Sequence, residues 1–97
     1  MLGIDFEWDE RKNKANYGKH GVWFEEAKTA FHDPYARLKH DLDRSDEEDR
    51  FVLLGMSDKL RLIVVCHVYR KQDAVIRIYS ARRAVKDEAK QYGRYLI

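Results

Sequence analysis

The sequence has 97 residues, the size of one small domain, and 44% of them are hydrophobic, which is enough for a buried core. Residues 1–58 carry nine Lys and Arg against fourteen Asp and Glu, whereas residues 59–97 carry ten against three. This basic C-terminal half predicts an anionic partner, with nucleic acid as the first candidate.

The sequence lacks the features of membrane and exported proteins. Its longest apolar run, residues 62–66, is far shorter than the ~20 residues of a membrane span. Residues 1–5 lack the basic and apolar regions of a signal peptide. Cys66, the one cysteine, cannot form an internal disulfide and is expected to be a small buried side chain. We therefore expect a cytoplasmic protein that has no membrane partner.

The N-terminal half predicts one strand and two helices. Residues 3–8 alternate between apolar and acidic side chains, which is typical of a short edge strand. Asp9 is placed to cap a helix over residues 10–19, and Gly21 is placed to end it in the left-handed conformation. Apolar side chains at helical spacing predict a second helix over residues 24–32.

The C-terminal half predicts a meander of strands and a closing helix. Weak alternation marks a strand over residues 35–40, and a highly charged loop over residues 41–50 follows it. Three further strands at hairpin spacing are expected over residues 51–57, 60–69 and 74–79. A helix is expected over residues 81–95. The order β-α-α-(β)-β-β-β-α predicts an α+β fold, in which a small antiparallel sheet carries helices on one face and residues 1–97 form a single domain.

No cofactor or metal site is predicted. The acidic loop over residues 41–50 resembles a calcium loop in charge, but it lacks the glycine of that motif. No group of His, Cys and Asp has the spacing of a zinc site, and the chain has no glycine-rich phosphate loop.

The change of period at Ser80 is the feature on which the functional prediction depends. Strand alternation precedes Ser80 and helical spacing follows it, so Ser80 is expected to cap the last helix. Arg82 and Arg83 would then lie in the first helical turn, where arginine forks and the helix N-terminus both favour phosphate. The alternative is that these arginines are solvated or pair with Asp87 and Glu88.

Because alternate residues of a strand point to opposite faces of a sheet, the sequence predicts a basic face. On the strand over residues 60–69 one set of alternate residues is wholly apolar and is expected under the helices: Leu62, Val64, Cys66 and Val68. The other set ends in His67 and Tyr69 and is expected on an open face. Arg77 and Tyr79 of the next strand would share that face, with Arg82 at its rim. Arginines beside aromatic rings are what single-stranded nucleic acid needs for its backbone and bases.

The residues of this face can also support RNA cleavage, in which the 2′-hydroxyl attacks the adjacent phosphate. Arg70, Arg77 and Arg82 are the candidates to stabilise phosphate charge. His67 or Glu48 is the candidate to move a proton. The alternatives are that His67 is a strand histidine satisfied by its neighbours and that Glu48 is one more loop carboxylate.

The order of short motifs resembles the BrnT family of toxins from bacterial type II toxin–antitoxin systems. The specific feature is the combination of three motifs, each weak alone: Phe6-Glu7-Trp8-Asp9, Lys19-His20-Gly21-Val22, and Ile76-Arg77-Ile78 with Ser80-Ala81-Arg82. Weaker matches, in the family's order, include Lys12, Asn16, Asp33-Pro34, Glu48, Arg50-Phe51, Arg61-Leu62, Arg70, Glu88 and Tyr92. Together they cover nearly the whole chain.

The resemblance implies a RelE-like fold and a metal-independent endoribonuclease that arrests translation by cutting RNA. It also implies a BrnA-like antitoxin with a ribbon-helix-helix part, and binding to operator DNA only through the toxin–antitoxin complex. It does not assign the general base. Lys12, Asn16, Lys19 and His20 are expected to tie the first helix to the sheet, although Lys19 and His20 are the residues most at risk of being wrongly left out of the site.

Two other functions remain open from the sequence. The same basic face suits a non-catalytic module that binds RNA or a partner. A purely structural interaction domain is the third reading, and the concentration of arginines on one predicted face counts against it.

Overall fold

The computed structural model describes residues 4–42 and 48–93, which form a five-stranded sheet with helices on both faces. The strands are β1 Asp5–Glu7, β2 Arg37–His40, β3 Arg50–Met56, β4 Leu62–Arg70 and β5 Val75–Arg83. The helices are α1 Glu10–His20, α2 Phe24–Ala27, which continues as a 3₁₀ helix over Lys28–His32, and α3 Lys86–Gly93. The spatial order of strands is β1-β5-β4-β3-β2.

The predicted α+β class is confirmed, with one difference in the sheet. Strands β2 to β5 are antiparallel, as expected, but β1 pairs with β5 in parallel. The sheet is therefore mixed. Parallel pairing requires a long crossover between the two strands, and no local signal in the sequence reveals it.

The ends of α1 follow the sequence prediction. The Asp9 side chain accepts a hydrogen bond from the backbone N–H of Arg11 at 2.8 Å, which caps the helix. Gly21 has a φ of 71°, and its N–H donates to the carbonyl of Tyr17. A side chain with a Cβ would be strained at this backbone conformation, so glycine is favoured where the helix ends.

The two faces of β4 are the reverse of the prediction. Ile63, Val65 and His67 are fully buried, and they lie on the face covered by α1, α2 and the 3₁₀ helix, which we call the α1–α2 face. Leu62 and Val64 lie on the opposite face, where α3 packs through Tyr92, which we call the α3 face. The expectation that all helices share one face was therefore wrong. Because β4 is apolar on both faces, the alternation of its residues does not reveal which face the larger helical layer covers.

The boundary between β5 and α3 also differs from the prediction. The strand continues through Ser80, which is not a helix cap, and α3 begins only at Lys86. The cause is a bulge: Ile78 pairs with His67 and Ser80 pairs with Cys66, so the residue between them has no partner in β4. The extra residue breaks the strand alternation, and the sequence then mimics a helical period.

One side chain of α1 satisfies the backbone of β5 beyond the bulge. The register of β1 extends only along residues 75–77 of β5, so the outer edge of Ala81 lies past the end of β1. The Asn16 Nδ2 donates to the Ala81 carbonyl at 2.8 Å, and the Ala81 N–H donates to Asn16 Oδ1 at 3.1 Å. Asn16 also donates to the carbonyl of Val22 at 2.9 Å. The amide thus takes the place of a neighbouring strand, and this supports the structural reading of Asn16.

We expect Asn16→Ala to destabilise the fold because it leaves both polar backbone groups of Ala81 buried without a partner. The loss in the free energy of unfolding should be about 2–4 kcal/mol, measured by urea denaturation. Lys14→Ala, an exposed change on the same helix, is the control and should cost less than about 0.5 kcal/mol. Equal stability of the two variants would contradict the role given to Asn16.

Candidate functional site

Arg77 and Arg82 of β5 lie on the α3 face. In a regular strand, residues five apart point to opposite faces, but the bulge inserts one residue between them. Arg77 is opposite Val68 of β4, and Arg82 is opposite Val64, which packs against α3. The bulge therefore brings both guanidiniums to one side of the sheet, and Arg70 at the end of β4 joins them.

Carboxylates lie between and beside these arginines. Glu7 of β1 contacts Arg77 at 3.1 Å and Arg70 at 3.8 Å, because the parallel register places Glu7 beside Arg77. Glu48, just before β3, contacts Arg70 at 3.1 Å. Each of these side chains is 33–42% exposed, so the cluster is reachable from solvent. We call Glu7, Glu48, Arg70 and Arg77 the arginine cluster.

Arg82 forms a separate, bidentate pair with α3. Its two terminal nitrogens donate to the two carboxylate oxygens of Glu88, each at 2.8 Å. The pairing raises the pKa of Arg82 and lowers that of Glu88. Glu88 also accepts from the backbone N–H of Val85 at 2.8 Å, so it holds the start of α3. The pairing of Arg82 with Glu88 was the structural alternative left open by the sequence.

Tyr79, the bulge residue, lies between the two groups of arginines along β5. The guanidinium of Arg50 stacks over its ring, 4.6 Å from the ring centroid. This is the distance of a cation–π contact. Burial raises the pKa of Tyr79, so the phenol stays neutral at physiological pH. Arg50 covers one side of the ring that the sequence analysis offered as a stacking surface for bases.

His67 lies apart from the arginines. It is fully buried on the α1–α2 face, where its ring packs edge-on against Phe31 and Tyr69. Its Nδ1 is 3.2 Å from the Val65 carbonyl, and its Nε2 is 3.3 Å from the Tyr69 hydroxyl. Burial lowers its pKa to about 4, so the imidazole is neutral at pH 7. Its predicted position on an open face with Arg77 was wrong, and its surroundings fit the alternative of a strand histidine satisfied by neighbours.

Comparison with known proteins agrees with both the motifs and the fold. A family model described as "Ribonuclease toxin, BrnT, of type II toxin-antitoxin system" matches residues 8–88. The chain belongs to the BrnT family.

A solved BrnT protein has the same fold. The crystal structure of the Brucella abortus ribonuclease toxin BrnT superposes with a TM-score of 0.66 at 22% sequence identity. The match covers 86% of this chain and 99% of the Brucella chain. No curated protein sequence matches this chain. The resemblance to BrnT drawn from short motifs is therefore confirmed.

The BrnT family match includes Glu48, Arg70, Arg77 and Arg82 but begins just after Glu7. From strand alternation, Glu7 is expected only on the outward side of a short edge strand. Its contact with two of the site arginines depends on the parallel pairing of β1 with β5, which no pattern in the sequence indicates.

Two further features concern the described residues, 4–42 and 48–93, of this BrnT protein. Within these ranges no group of three or more His, Cys, Asp and Glu is arranged to hold a metal ion. Within the same ranges no helix is both long and apolar enough to cross a membrane.

We expect the buried His67 to make stability pH-dependent. Between pH 6.5 and about 4 the unfolded chain binds a proton that the folded histidine excludes, so the free energy of unfolding falls as the pH falls. The loss across this window should approach roughly 3 kcal/mol. The free energy of unfolding, measured by urea denaturation at each pH from 7 to 4, should therefore fall more steeply with pH for wild type than for His67→Gln. Glutamine is similar in volume to histidine and does not titrate. Parallel slopes would contradict the assignment.

Proposed function

We propose that this chain is a metal-independent endoribonuclease that arrests translation, and that Arg70, Arg77 and Arg82 bind the RNA backbone at the cleavage site. Membership of the BrnT family establishes a ribonuclease toxin of a type II system. The observation that carries the finer proposal is the convergence of these three arginines on one face, each beside a carboxylate.

Binding of RNA would exchange carboxylate partners for phosphate partners. Each arginine is held by Glu7, Glu48 or Glu88, and a guanidinium fork that binds a carboxylate through two nitrogens binds a phosphate in the same way. The carboxylates hold the guanidiniums in place before substrate arrives, which reduces the ordering required on binding. They also oppose binding of any anion that cannot displace them.

The displaced carboxylates supply the proton acceptor. Glu7 and Glu48 both contact Arg70, so a phosphate bound to Arg70 lies within reach of either oxygen. One carboxylate takes the proton of the 2′-hydroxyl while the 2′-oxygen bonds to phosphorus. The bond from phosphorus to the 5′-oxygen then breaks, and that oxygen takes a proton from solvent or a second acid. The products are a 2′,3′-cyclic phosphate and a free 5′-hydroxyl.

Arginines supply the charge stabilisation of this reaction. Negative charge builds on the non-bridging oxygens of the phosphate in the transition state, and fixed guanidiniums at these positions lower the barrier. His67 has no part in the proposal, because it is buried on the other face.

The family name implies an antitoxin, and we propose a BrnA-like protein with a ribbon-helix-helix part. Operator DNA is then bound only through the toxin–antitoxin complex, and the pair acts in the cytoplasm. Neutralisation requires that the antitoxin prevents RNA from reaching the arginines on the α3 face.

We expect the arginines of the site to be required for cleavage in the absence of metal. Protein freed of antitoxin is incubated with end-labelled RNA in EDTA, and initial rates are compared among variants. Arg70→Ala, Arg77→Ala and Arg82→Ala should each lower the rate by about 100-fold, because each removes a contact that stabilises phosphate charge. Wild type should leave 2′,3′-cyclic phosphate ends.

Lys59→Ala is the matched control, since it removes an exposed positive charge at the turn before β4. If the three arginine variants cleave RNA as fast as this control, the assignment of these arginines to the site is wrong. In cells, wild type induced without antitoxin should stop protein synthesis and growth, and Arg82→Ala should not. Cleavage that appears only after Mg²⁺ is added would contradict metal independence.

The second candidate function is a non-catalytic module that binds RNA or a partner. The feature that favours it is the pairing of every one of these three arginines with a carboxylate, an arrangement that also holds a binding face rigid. For such a module the arginine variants would lose RNA binding, measured by fluorescence anisotropy, while wild type cleaves no RNA.

The two carboxylates of the arginine cluster can be distinguished by kinetics. We expect either Glu7→Gln or Glu48→Gln to lower the rate by about 100-fold or more and to abolish the acidic limb of the pH–rate profile, because one of them takes the proton. The other variant should keep that limb. If both variants keep the wild-type pH profile, neither carboxylate is the base.

A further inference from the structure

A cleft opens on the α1–α2 face, on the side of the sheet opposite Arg70 and Arg77. It has a volume of about 610 Å³ and is lined by apolar side chains that include Ile4, Leu38, Phe51 and Tyr69. A second hollow of about 360 Å³ shares Ile4 and Tyr69 with it and extends toward Phe31. Leu38 is 51% exposed and Ile4 is 40% exposed. An apolar hollow with exposed aliphatic walls indicates an interaction site.

The rim of the cleft is acidic. Glu48, Asp49 and Asp73 line its mouth, and no Lys or Arg is among the described residues that line either hollow. A mouth of this charge repels the RNA backbone and attracts a basic segment of protein. The cleft therefore differs in chemistry from the basic α3 face of the same sheet.

We propose that this cleft binds a segment of the antitoxin in which apolar side chains are flanked by Lys or Arg. The inference rests on the proposed function only in taking the antitoxin as the partner. Charge complementarity selects this occupant: the apolar floor takes an aliphatic or aromatic anchor, and the three rim carboxylates take its basic neighbours.

Glu48 links the cleft to the arginine cluster. Its side chain lines the cleft and also contacts Arg70 at 3.1 Å. A Lys or Arg of the antitoxin at the rim competes with Arg70 for this carboxylate. Occupation of the cleft therefore changes the partner of Arg70 on the RNA-binding face. The cleft also gives the antitoxin a binding site that is separate from that face.

The test is the affinity of the purified full-length antitoxin of this pair for toxin variants, measured by isothermal titration calorimetry. Leu38→Asp should weaken binding by about tenfold or more, because it places a charge where an apolar anchor packs. Leu60→Asp is the matched control: Leu60 is 83% exposed at the turn before β4 and should retain wild-type affinity. Asp73→Asn, in an exposed turn, should weaken binding and reduce its dependence on salt.

Each outcome bears on the inference separately from the proposed function. RNA cleavage by Leu38→Asp at the wild-type rate shows that the variant is folded, and unchanged antitoxin affinity in both Leu38→Asp and Asp73→Asn then overturns the inference. Loss of a toxin dimer in Leu38→Asp, seen by analytical ultracentrifugation with no change in antitoxin affinity, assigns the cleft to a second copy and also overturns it. If Leu38→Asp and Asp73→Asn weaken antitoxin binding but the wild-type protein cleaves no RNA, the result supports the cleft and contradicts the proposed function.

Discussion

The arrangement of the site depends on the hydrogen bonds between the side-chain amide of Asn16 and the backbone of Ala81. The amide bonds to the N–H and the carbonyl of Ala81, just beyond the bulge in β5. It therefore anchors α1 to the part of the strand that does not pair with β1. Because the bulge inserts one residue, side chains after it point to the face opposite the one that regular alternation would give. Arg82, in the anchored segment, therefore lies on the α3 face. The position of Arg82 therefore depends both on the bulge and on the contact of α1 with β5. Without Asn16, the backbone groups at this strand edge would be buried without hydrogen-bond partners, which is unfavourable.

Opposite charges set the character of the α3 face. The arginines are concentrated there, yet Glu7, Glu48 and Glu88 neutralise them in the free protein. Because these pairs are partly exposed, they contribute little to stability but fix the positions of the guanidiniums. Such a face favours a ligand with several phosphates over a single small anion, since several carboxylates must be displaced together.

The two faces of the sheet divide the chemistry of the molecule. One face carries the arginines and the short helix α3, and the other carries the main core, the buried His67 and an apolar cleft with an acidic mouth. The proposed sites for an anionic substrate and for a basic partner therefore lie on opposite sides of the sheet, and Glu48 belongs to both. A partner on one face can then act on the other through this shared contact.

The sequence by itself determined the residue types of the site and the local elements, except for the boundary between β5 and α3. Caps at Asp9 and Gly21, and the alternation of the strands, are read from neighbouring residues, since their causes act within a few positions along the chain. Tertiary structure alone decided which face each strand presents: β4 is apolar on both sides, so the burial of His67 could not be read from its alternation. It also decided the bulge that aligns Arg82 with Arg77 and the parallel pairing that brings Glu7 to Arg70, because both depend on contacts between residues distant in the chain.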